Sequence, residues 1–275
     1  MNYKMVVLDM DGTLLTDDKR ISDKNMDALK KISDLGIKVV ISTGRIFTSA
    51  KSYGDLIGVR IPIIASNGAY IREKDRDEVI YAKLLKQEVA RKIVTLCHKF
   101  RMYCHLFTWD SLYSEKLIYS ALYYSKWNKN LPEGEKVNIN IIDPSDWNKV
   151  IMTNKNLLKA VVTDEDREKV ASLRREVSKL DVEVTSSSKN NIEIMDKGVS
   201  KGKAVEYLGK YYNIRRDEII CIGDSENDIS MIKYAGLGIA MGNAEDEVKD
   251  ASKFVTLSNE EDGVSYAIEK FLLKD

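Results

Sequence analysis

The sequence MVVLDMDGTLL, residues Met5 to Leu15, decides the fold prediction because an apolar run stops abruptly at two aspartates. The run predicts a buried strand over Val6–Leu8, and Asp9 and Asp11 follow it at the spacing i, i+2 before a Gly-Thr turn. Carboxylates at the end of a buried strand lose hydration, which costs free energy unless something compensates. A divalent metal ion is the usual compensation, so this segment predicts a metal site.

The composition is that of a globular protein and argues against two classes of partner. The chain has 275 residues, 44% of them hydrophobic, with 43 basic and 43 acidic side chains. A formal net charge of zero gives no support to a nucleic-acid partner or an anionic membrane surface. The apolar stretches are far shorter than the roughly 20 residues that a membrane-spanning helix needs. We therefore expect no nucleic acid and no membrane as partners.

The N-terminal segment and the cysteines favour the cytoplasm. The two aspartates interrupt any apolar core of a signal peptide. An odd number of cysteines without metal-ligand spacing predicts buried, reduced thiols at Cys97, Cys104 and Cys221. His98 and His105 have no neighbouring ligand pattern, so we expect ordinary, partly buried side chains rather than a metal site or a catalytic triad.

Strands and helices alternate at both ends of the chain. The predicted strands are Val6–Leu8, Ile37–Ile41, Ile61–Ala65, Glu218–Ile222 and Leu237–Ala240, and a hairpin is predicted over residues 70–81. The first helix follows Ser22 as N-cap and ends at Gly36; others are predicted over 48–57, 200–212, 227–234, 246–251 and 263–273. This order predicts an α/β fold with a Rossmann-like parallel sheet and right-handed crossovers.

The middle of the chain has a different pattern. Helices are predicted over 89–100, 117–127 and 170–177, and strands over 103–107, 112–115, 157–163, 182–185 and 191–195. This pattern predicts an inserted α+β domain of about 105 residues, enough to fold around a core of its own. We assign residues 1–83 and 190–275 to the core and 84–189 to the insert, which would act as a cap.

Four polar clusters follow predicted strands or open a predicted helix. They are Asp9-Met-Asp11-Gly-Thr13, Ser42-Thr-Gly-Arg45, Lys197-Gly-Val-Ser-Lys201-Gly and Gly223-Asp-Ser-Glu-Asn-Asp228. Each has a plain structural interpretation: a surface turn, a helix cap, a solvated lysine or a calcium loop. Because the carboxyl ends of parallel strands meet at one crevice, the coincidence of all four favours a common site.

In this order the four clusters resemble the motifs of the haloacid dehalogenase superfamily. Two C-terminal segments, residues 231–244 and 259–264, and Ser66-Asn-Gly-Ala69 resemble its Cof-type branch, subclass IIB. The resemblance covers the core, about 170 residues, and the insert matches that branch's cap in size and position. It implies an HAD-like core, Mg²⁺ as cofactor and a phosphatase.

The resemblance also implies roles for single residues. Asp9 would be the carboxylate nucleophile that forms an aspartyl-phosphate, and Asp11 would protonate the leaving oxygen and then activate water. The phosphate would be bound by Thr43, Gly44, Lys201 and Asn227, with Thr43 and Lys201 also counted as catalytic. The implied metal ligands are Asp9, Asp224 and the backbone carbonyl of Met10. For Asp11 and Asp228, direct and indirect contact with the metal both stay open.

Two further features stay ambiguous in the sequence. Arg45 can contact phosphate or form a structural ion pair. Tyr119, Tyr123, Tyr124 and Trp127 have helical spacing, which can form a sugar-stacking face but favours packing.

The function that the resemblance implies most directly is hydrolysis of a small phosphorylated metabolite, with a sugar phosphate as the expected substrate. Alternatives are a phosphotransferase or phosphohexomutase that uses the same phosphoaspartate, a phosphatase for nucleotides or cofactors such as FMN or pyridoxal phosphate, and a non-enzymatic binding module. We expect a monomer or weak homodimer.

Overall fold

The structure, a computed structural model, describes residues 3–58 and 61–273. Its strands are β1 (Met5–Leu8), β2 (Lys38–Ser42), β3 (Pro62–Ala65), β4 (Tyr70–Glu73), β5 (Val79–Ala82), β6 (Cys104–Phe107), β7 (Ser111–Ser114), β8 (Asn138–Ile141), β9 (Lys159–Thr163), β10 (Val182–Thr185), β11 (Asn191–Asp196), β12 (Ile219–Gly223), β13 (Leu237–Ala240) and β14 (Phe254–Val255). Its α-helices are α1 (Asp23–Asp34), α2 (Phe47–Ile57), α3 (Gln87–Lys99), α4 (Tyr119–Trp127), α5 (Trp147–Thr153), α6 (Arg167–Val177), α7 (Lys201–Tyr211), α8 (Ile229–Tyr234), α9 (Asp246–Ala251) and α10 (Gly263–Leu272).

The larger sheet has the strand order β14-β13-β12-β1-β2-β3-β4-β5. The strands from β14 to β3 run parallel, and β4 and β5 add an antiparallel hairpin at one edge. The α/β fold and the predicted core elements are confirmed, with ends shifted by one or two residues. Since β1 lies between β2 and β12, the chain changes its direction of travel across the sheet at β1.

Strand β1 is buried on both faces, which explains its uninterrupted apolar sequence. Val6 and Leu8 pack into a cluster that includes residues of α1, α2, α9 and α10, whereas Met5 and Val7 pack against α7. The alternation follows from the period of two along a strand. Helices on both faces therefore fix β1, and with it the direction in which the loop after Leu8 leaves the sheet.

The smaller sheet has the order β10-β11-β9-β6-β7-β8, and it is antiparallel except for the pair β7–β8. Helices α3, α5 and α6 cover one of its faces with an apolar cluster. We call this unit, residues 85–196, the cap. We expected the insert to end at residue 189, but β11 pairs with β9 and β10, so the cap sheet continues to Asp196.

Two cap elements were not predicted from the sequence. Strand β8 has the sequence Asn-Ile-Asn-Ile, lies at the edge of its sheet and is half-exposed, so its apolar signal is weak. Helix α5 has only seven residues, too few for a helical period to stand out. In the described parts of the chain, no helix combines the length and apolar character needed to cross a bilayer.

Candidate active site

The candidate site lies at the carboxyl edge of the large sheet, where the chain changes its direction of travel. Asp9 directly follows β1, Thr43 follows β2 and Asp224 follows β12, and these three strands are neighbours. Lys201 is the first residue of α7. This position is the one at which open α/β sheets bind their ligands. The structure thus brings together residues that are up to 215 positions apart because neighbouring strands end side by side.

Asp9, Asp224 and Asp228 form an acidic cluster whose carboxylate oxygens lie within 4.8 Å of one another. Burial raises the pKa of Asp9 well above its usual range, and the charges of Asp228 and Asp224 add to this against the opposing effect of Lys201. Burial and then Asp228 raise the pKa of Asp224 to about 7. Hard oxygen donors that repel one another at this distance fit a divalent cation such as Mg²⁺.

Lys201 links two of these carboxylates. Its Nζ donates to Oδ1 of Asp9 at 2.5 Å and to Oδ1 of Asp228 at 2.6 Å, and the side chain is fully buried. Burial alone would lower the pKa of Lys201, but Asp228 and Asp9 outweigh it, so the pKa is raised and the ammonium stays charged. A fixed positive charge beside Asp9 is suited to offset negative charge that develops during phosphoryl transfer.

Asp228 belongs to the cluster, but both of its carboxylate oxygens accept hydrogen bonds from the protein. Oδ1 accepts from Lys201, and Oδ2 accepts from the backbone N–H groups of Asp224 and Ser225 at 3.0 and 3.1 Å. Asp224 itself accepts from the hydroxyls of Thr13, at 3.0 Å, and Ser225, at 2.8 Å. Asp228 therefore positions Lys201 and the loop that carries Asp224, which makes indirect action on a metal the better interpretation.

The carbonyl oxygen of Met10 accepts hydrogen bonds within the turn after β1. The donors are the backbone N–H groups of Leu15 at 2.8 Å and Thr13 at 3.3 Å. These bonds close the turn after β1. The role of this oxygen as a metal ligand stays a prediction.

Asp11 points away from the acidic cluster and toward Arg45. Nε of Arg45 donates to Oδ2 of Asp11 and Nη2 donates to Oδ1, both at 2.7 Å, and Nζ of Lys19 adds a bond of 2.9 Å to Oδ1. Burial alone would raise the pKa of Asp11, but Arg45 and then Lys19 outweigh it, so the pKa is lowered. The structure thus shows Asp11 as an ionised proton acceptor, and it resolves the role of Arg45 in favour of an ion pair.

The predicted phosphate-binding loop lies beneath the cap, with Thr43 buried and Gly44 half-buried. The backbone N–H of Thr43 donates to the carbonyl of Ile64 at 2.8 Å, and its hydroxyl accepts from the N–H of Arg45 at 3.1 Å. A Cβ at position 44 would lie 3.0 Å from Oδ1 of Asn67. Glycine at this position lets the loop pass beneath neighbouring side chains.

Asn227 and Asn67 meet at the edge of the same site. Nδ2 of Asn227 donates to Oδ1 of Asn67 at 3.2 Å, and its backbone N–H donates to the carbonyl of Ser186 in the cap. Oδ1 of Asn227 is buried and has no hydrogen-bond partner among the described residues. Asn227 therefore presents an unsatisfied acceptor next to the predicted phosphate site, and this atom suits a hydroxyl donor of a ligand rather than a phosphate oxygen.

A cavity of about 480 Å³ separates this floor from the cap. Asp9, Asp11, Thr43, Gly44 and Asn227 line it from the core. From the cap it is lined by Phe107, Tyr119, Ser120, Tyr123, Tyr124, Lys159, Val161, Thr163, Ser187, Asn191 and Glu193. The cavity is large enough for a small phosphate ester.

Two charged residues of the cap, Lys159 and Glu193, were missed by the sequence analysis. They form a buried ion pair, and Nζ of Lys159 also donates to the carbonyl of Gly44. Burial lowers the pKa of Lys159, against the effect of Glu193. The available signal was a single charge within each of two predicted apolar strands, residues 157–163 and 191–195.

The aromatic residues of α4 divide between packing and the cavity. The hydroxyl of the buried Tyr124 accepts from the N–H of Ile46, and Trp127 packs edge-on against Tyr124. Tyr119, Tyr123 and Tyr124 all line the cavity. Packing therefore accounts for Trp127, Tyr124 both packs and faces the cavity, and Tyr119 and Tyr123 can contact a ligand.

Comparison with known proteins supports the same architecture and chemistry. The sequence profile of the haloacid dehalogenase-like hydrolases matches residues 6–268. A 5-amino-6-(5-phospho-D-ribitylamino)uracil phosphatase of Bacillus subtilis (strain 168) is 34% identical over 98% of this chain and 98% of its own. A phosphoglycolate phosphatase of Methanobrevibacter smithii is 30% identical over 99% and 100% of the two chains.

The solved structures show the same fold with both units in place. A haloacid dehalogenase-like hydrolase from Bacteroides thetaiotaomicron superposes with a TM-score of 0.82 at 28% identity, over 98% of this chain and 100% of that one. The similarity therefore includes the cap as well as the core.

Proposed function

The chain belongs to the Cof-type branch of the haloacid dehalogenase-like hydrolases and is a phosphatase, and from this premise we propose that it is a Mg²⁺-dependent enzyme that hydrolyses sugar phosphates through an aspartyl-phosphate at Asp9. The observation that carries the proposal is the contact of Lys201 with Asp9 beside Asp224, at the floor of a capped cavity. This arrangement joins a nucleophile, a fixed cation and a set of metal ligands.

The first step transfers the phosphoryl group to the enzyme. A carboxylate oxygen of Asp9 attacks phosphorus, the bond between phosphorus and the ester oxygen breaks, and the leaving oxygen takes a proton from Asp11. Asp11 must therefore be protonated at this stage, which requires its two hydrogen bonds to Arg45 to loosen. Lys201 offsets the charge on the transferring group.

The second step returns the enzyme to its starting form. Asp11, now ionised, takes a proton from water as the water oxygen attacks the phosphorus of the aspartyl-phosphate. The bond between phosphorus and the Asp9 oxygen breaks, which frees the Asp9 carboxylate and inorganic phosphate and leaves Asp11 protonated. The pairing with Arg45 favours the ionised carboxylate that this step needs. Mg²⁺ held by Asp9 and Asp224 would shield the substrate phosphate from the surrounding carboxylates.

A second candidate substrate is a heterocycle that carries a phosphorylated ribityl chain. The Bacillus subtilis relative named above is a phosphatase of such a compound. In this chain, Tyr119 and Tyr123 line the cavity and offer rings on which a planar group can stack. Both candidates share a phosphate on a hydroxylated carbon chain. The cap excludes large partners, and we propose that the protein acts in the cytoplasm as a monomer or weak homodimer.

The test is release of inorganic phosphate from p-nitrophenyl phosphate and a panel of sugar, polyol and cofactor phosphates. We expect turnover with Mg²⁺, loss of turnover with excess chelator and recovery when Mg²⁺ is restored. Full activity in chelator would refute the metal requirement. Transfer of labelled phosphate from one sugar position to another, instead of release, would establish the phosphohexomutase alternative.

A further inference from the structure

The roof of the cavity is the inner face of the cap sheet. The alternation of side chains along each strand decides which polar groups face the cavity. Lys159, Val161 and Thr163 of β9 face the cavity, whereas Ala160 and Val162 pack beneath the cap helices. On β11, Asn191 and Glu193 face the cavity in the same way. Because β9 and β11 are antiparallel neighbours, Lys159 and Glu193 meet across them.

This ion pair lies directly above the phosphate-binding loop. Nζ of Lys159 donates to the carbonyl of Gly44, and a Cβ at Gly44 would lie 3.1 Å from Oε2 of Glu193. A substrate whose phosphate rests on the loop would therefore place the carbon atoms next to its ester oxygen beneath the pair. Both side chains are almost completely buried, so they would meet the substrate where water does not compete.

The pair keeps hydrogen-bonding capacity for a ligand. An ammonium has three donors, and among the described residues Lys159 uses two, on Gly44 and Glu193. A carboxylate accepts about four hydrogen bonds. Glu193 accepts three, from Lys159, from Nδ2 of Asn67 at 2.8 Å and from the hydroxyl of Ser187 at 2.5 Å. One donor and one acceptor remain side by side.

From this geometry we infer that Lys159 and Glu193 select substrates that carry two adjacent hydroxyls close to the phosphate. One hydroxyl accepts from Lys159 and its neighbour donates to Glu193. The ion pair is neutral as a unit, so it supplies no net positive charge to a leaving group with its own negative charge, such as that of phosphoglycolate. Further uncharged polar side chains line the cavity: Ser120, Thr163, Ser187 and Asn191. The inference rests on the proposed function and specifies its substrate class.

The test compares two phosphate esters that differ only in their hydroxyls, D-ribitol 5-phosphate and n-pentyl phosphate. The wild-type enzyme should prefer the ribitol ester in kcat/KM by at least about 10- to 100-fold, because each lost contact with a buried charged group is costly. Lys159→Met and Glu193→Gln should each reduce this preference about tenfold by lowering the value for the ribitol ester more than the value for the pentyl ester. Lys155→Met, which removes an exposed cap lysine, should leave it unchanged.

The outcomes separate the inference from the proposed function. Equal turnover of both esters by the wild-type enzyme would overturn the inference and leave the assignment as a phosphatase intact. This measurement uses only the wild-type enzyme, so it does not depend on whether a variant folds. An equal loss on both esters in the two variants would mean that the pair only holds Gly44 in place, which also overturns it. Failure of the wild-type enzyme to release phosphate from any ester would refute the proposed function, and the inference with it.

Discussion

Arg45 holds both carboxylate oxygens of Asp11 through two hydrogen bonds of 2.7 Å, and its guanidinium stacks between Tyr53 of the core and Tyr123 of the cap at 4.8 and 5.4 Å from the ring centres. Asp11, which we propose moves protons, is thus oriented by an arginine that also contacts the cap. The position of the cap and the position of Asp11 are therefore linked through the side chain of Arg45.

Replacement of Arg45 tests this link. In Arg45→Met, Asp11 loses its fixed orientation, and we expect kcat to fall about 10- to 100-fold. This is at or below the lower end of what a positioned acid or base contributes, because Asp11 itself is still present. The measurement is steady-state turnover with a saturating substrate. Arg215→Met, which removes an exposed arginine paired with Asp217, serves as the control. An unchanged kcat in Arg45→Met would show that Asp11 does not depend on this pair.

Removal of Lys201 should affect both stability and activity. Lys201→Met leaves Asp9 and Asp228 buried without their counter-ion, so we expect a loss of about 3–5 kcal/mol in the free energy of unfolding. We also expect kcat to fall at least about 100-fold. Lys203→Met is the matched control because Lys203 lies on the same helix, is exposed and pairs with Glu206. Urea unfolding and turnover together check the prediction, and retention of wild-type kcat would contradict the role of Lys201.

Gly44 tests how closely the cap is fitted to the phosphate-binding loop. In Gly44→Ala the new Cβ would lie 3.0 Å from Asn67 and 3.1 Å from Glu193, and both neighbours are tied into a buried network. We expect a loss of about 1–3 kcal/mol in stability, together with a lower kcat/KM. Gly134→Ala is the control, since nothing lies within 4 Å of its Cβ. Equal stability and equal turnover in the two variants would show that the side chains around Gly44 leave room for a methyl group.

His105 should make the stability of the protein depend on pH. Burial lowers the pKa of His105 to about 4, below its ordinary value of 6.5, and neither ring nitrogen has a hydrogen-bond partner among the described residues. The folded state then binds fewer protons than the unfolded state, so stability is lost as the pH falls from 6.5 toward 4. At about 1.4 kcal/mol per pH unit, the loss between pH 7 and pH 5 is about 2 kcal/mol.

The corresponding measurement is urea unfolding at pH 7 and pH 5. His105→Leu should lose about 2 kcal/mol less than the wild-type protein over this interval. A wild-type protein with the same pH dependence as His105→Leu would show that His105 is not held neutral in the fold.

The sequence predicts the floor of the site well because its residues directly follow strands. Asp9 and Asp224 are adjacent in space once β1 and β12 are recognised as neighbours in a parallel sheet, and no side-chain detail is needed. Lys201 follows from its place at the start of a helix. The two hydrogen bonds to the carbonyl of Met10 could not be predicted, because they depend on the geometry of the turn after β1, which the sequence does not specify.

The roof of the site is harder to predict for a physical reason. Whether Lys159 and Glu193 face the cavity or the cap helices depends on strand register, and a shift of one residue would reverse the faces. Their pairing also requires β9 and β11 to be neighbours, although the chain between them forms α6 and β10. The ion pair between Arg45 and Asp11 similarly depends on the direction that the Asp11 side chain takes in the turn after β1. Such contacts arise only once the tertiary structure has formed.

The central claim is that Asp9 forms a covalent bond to phosphorus, and trapping the phosphorylated enzyme tests it most directly. The protein is mixed with substrate and Mg²⁺, quenched with acid within the first turnover and digested for peptide mass analysis. We expect the mass of one phosphoryl group on the peptide that contains Asp9, and its absence from Asp9→Asn, whereas Asp27→Asn on the exposed face of α1 should be labelled like the wild-type protein. Rapid turnover with no phosphorylated peptide, or undiminished turnover in Asp9→Asn, would contradict the account.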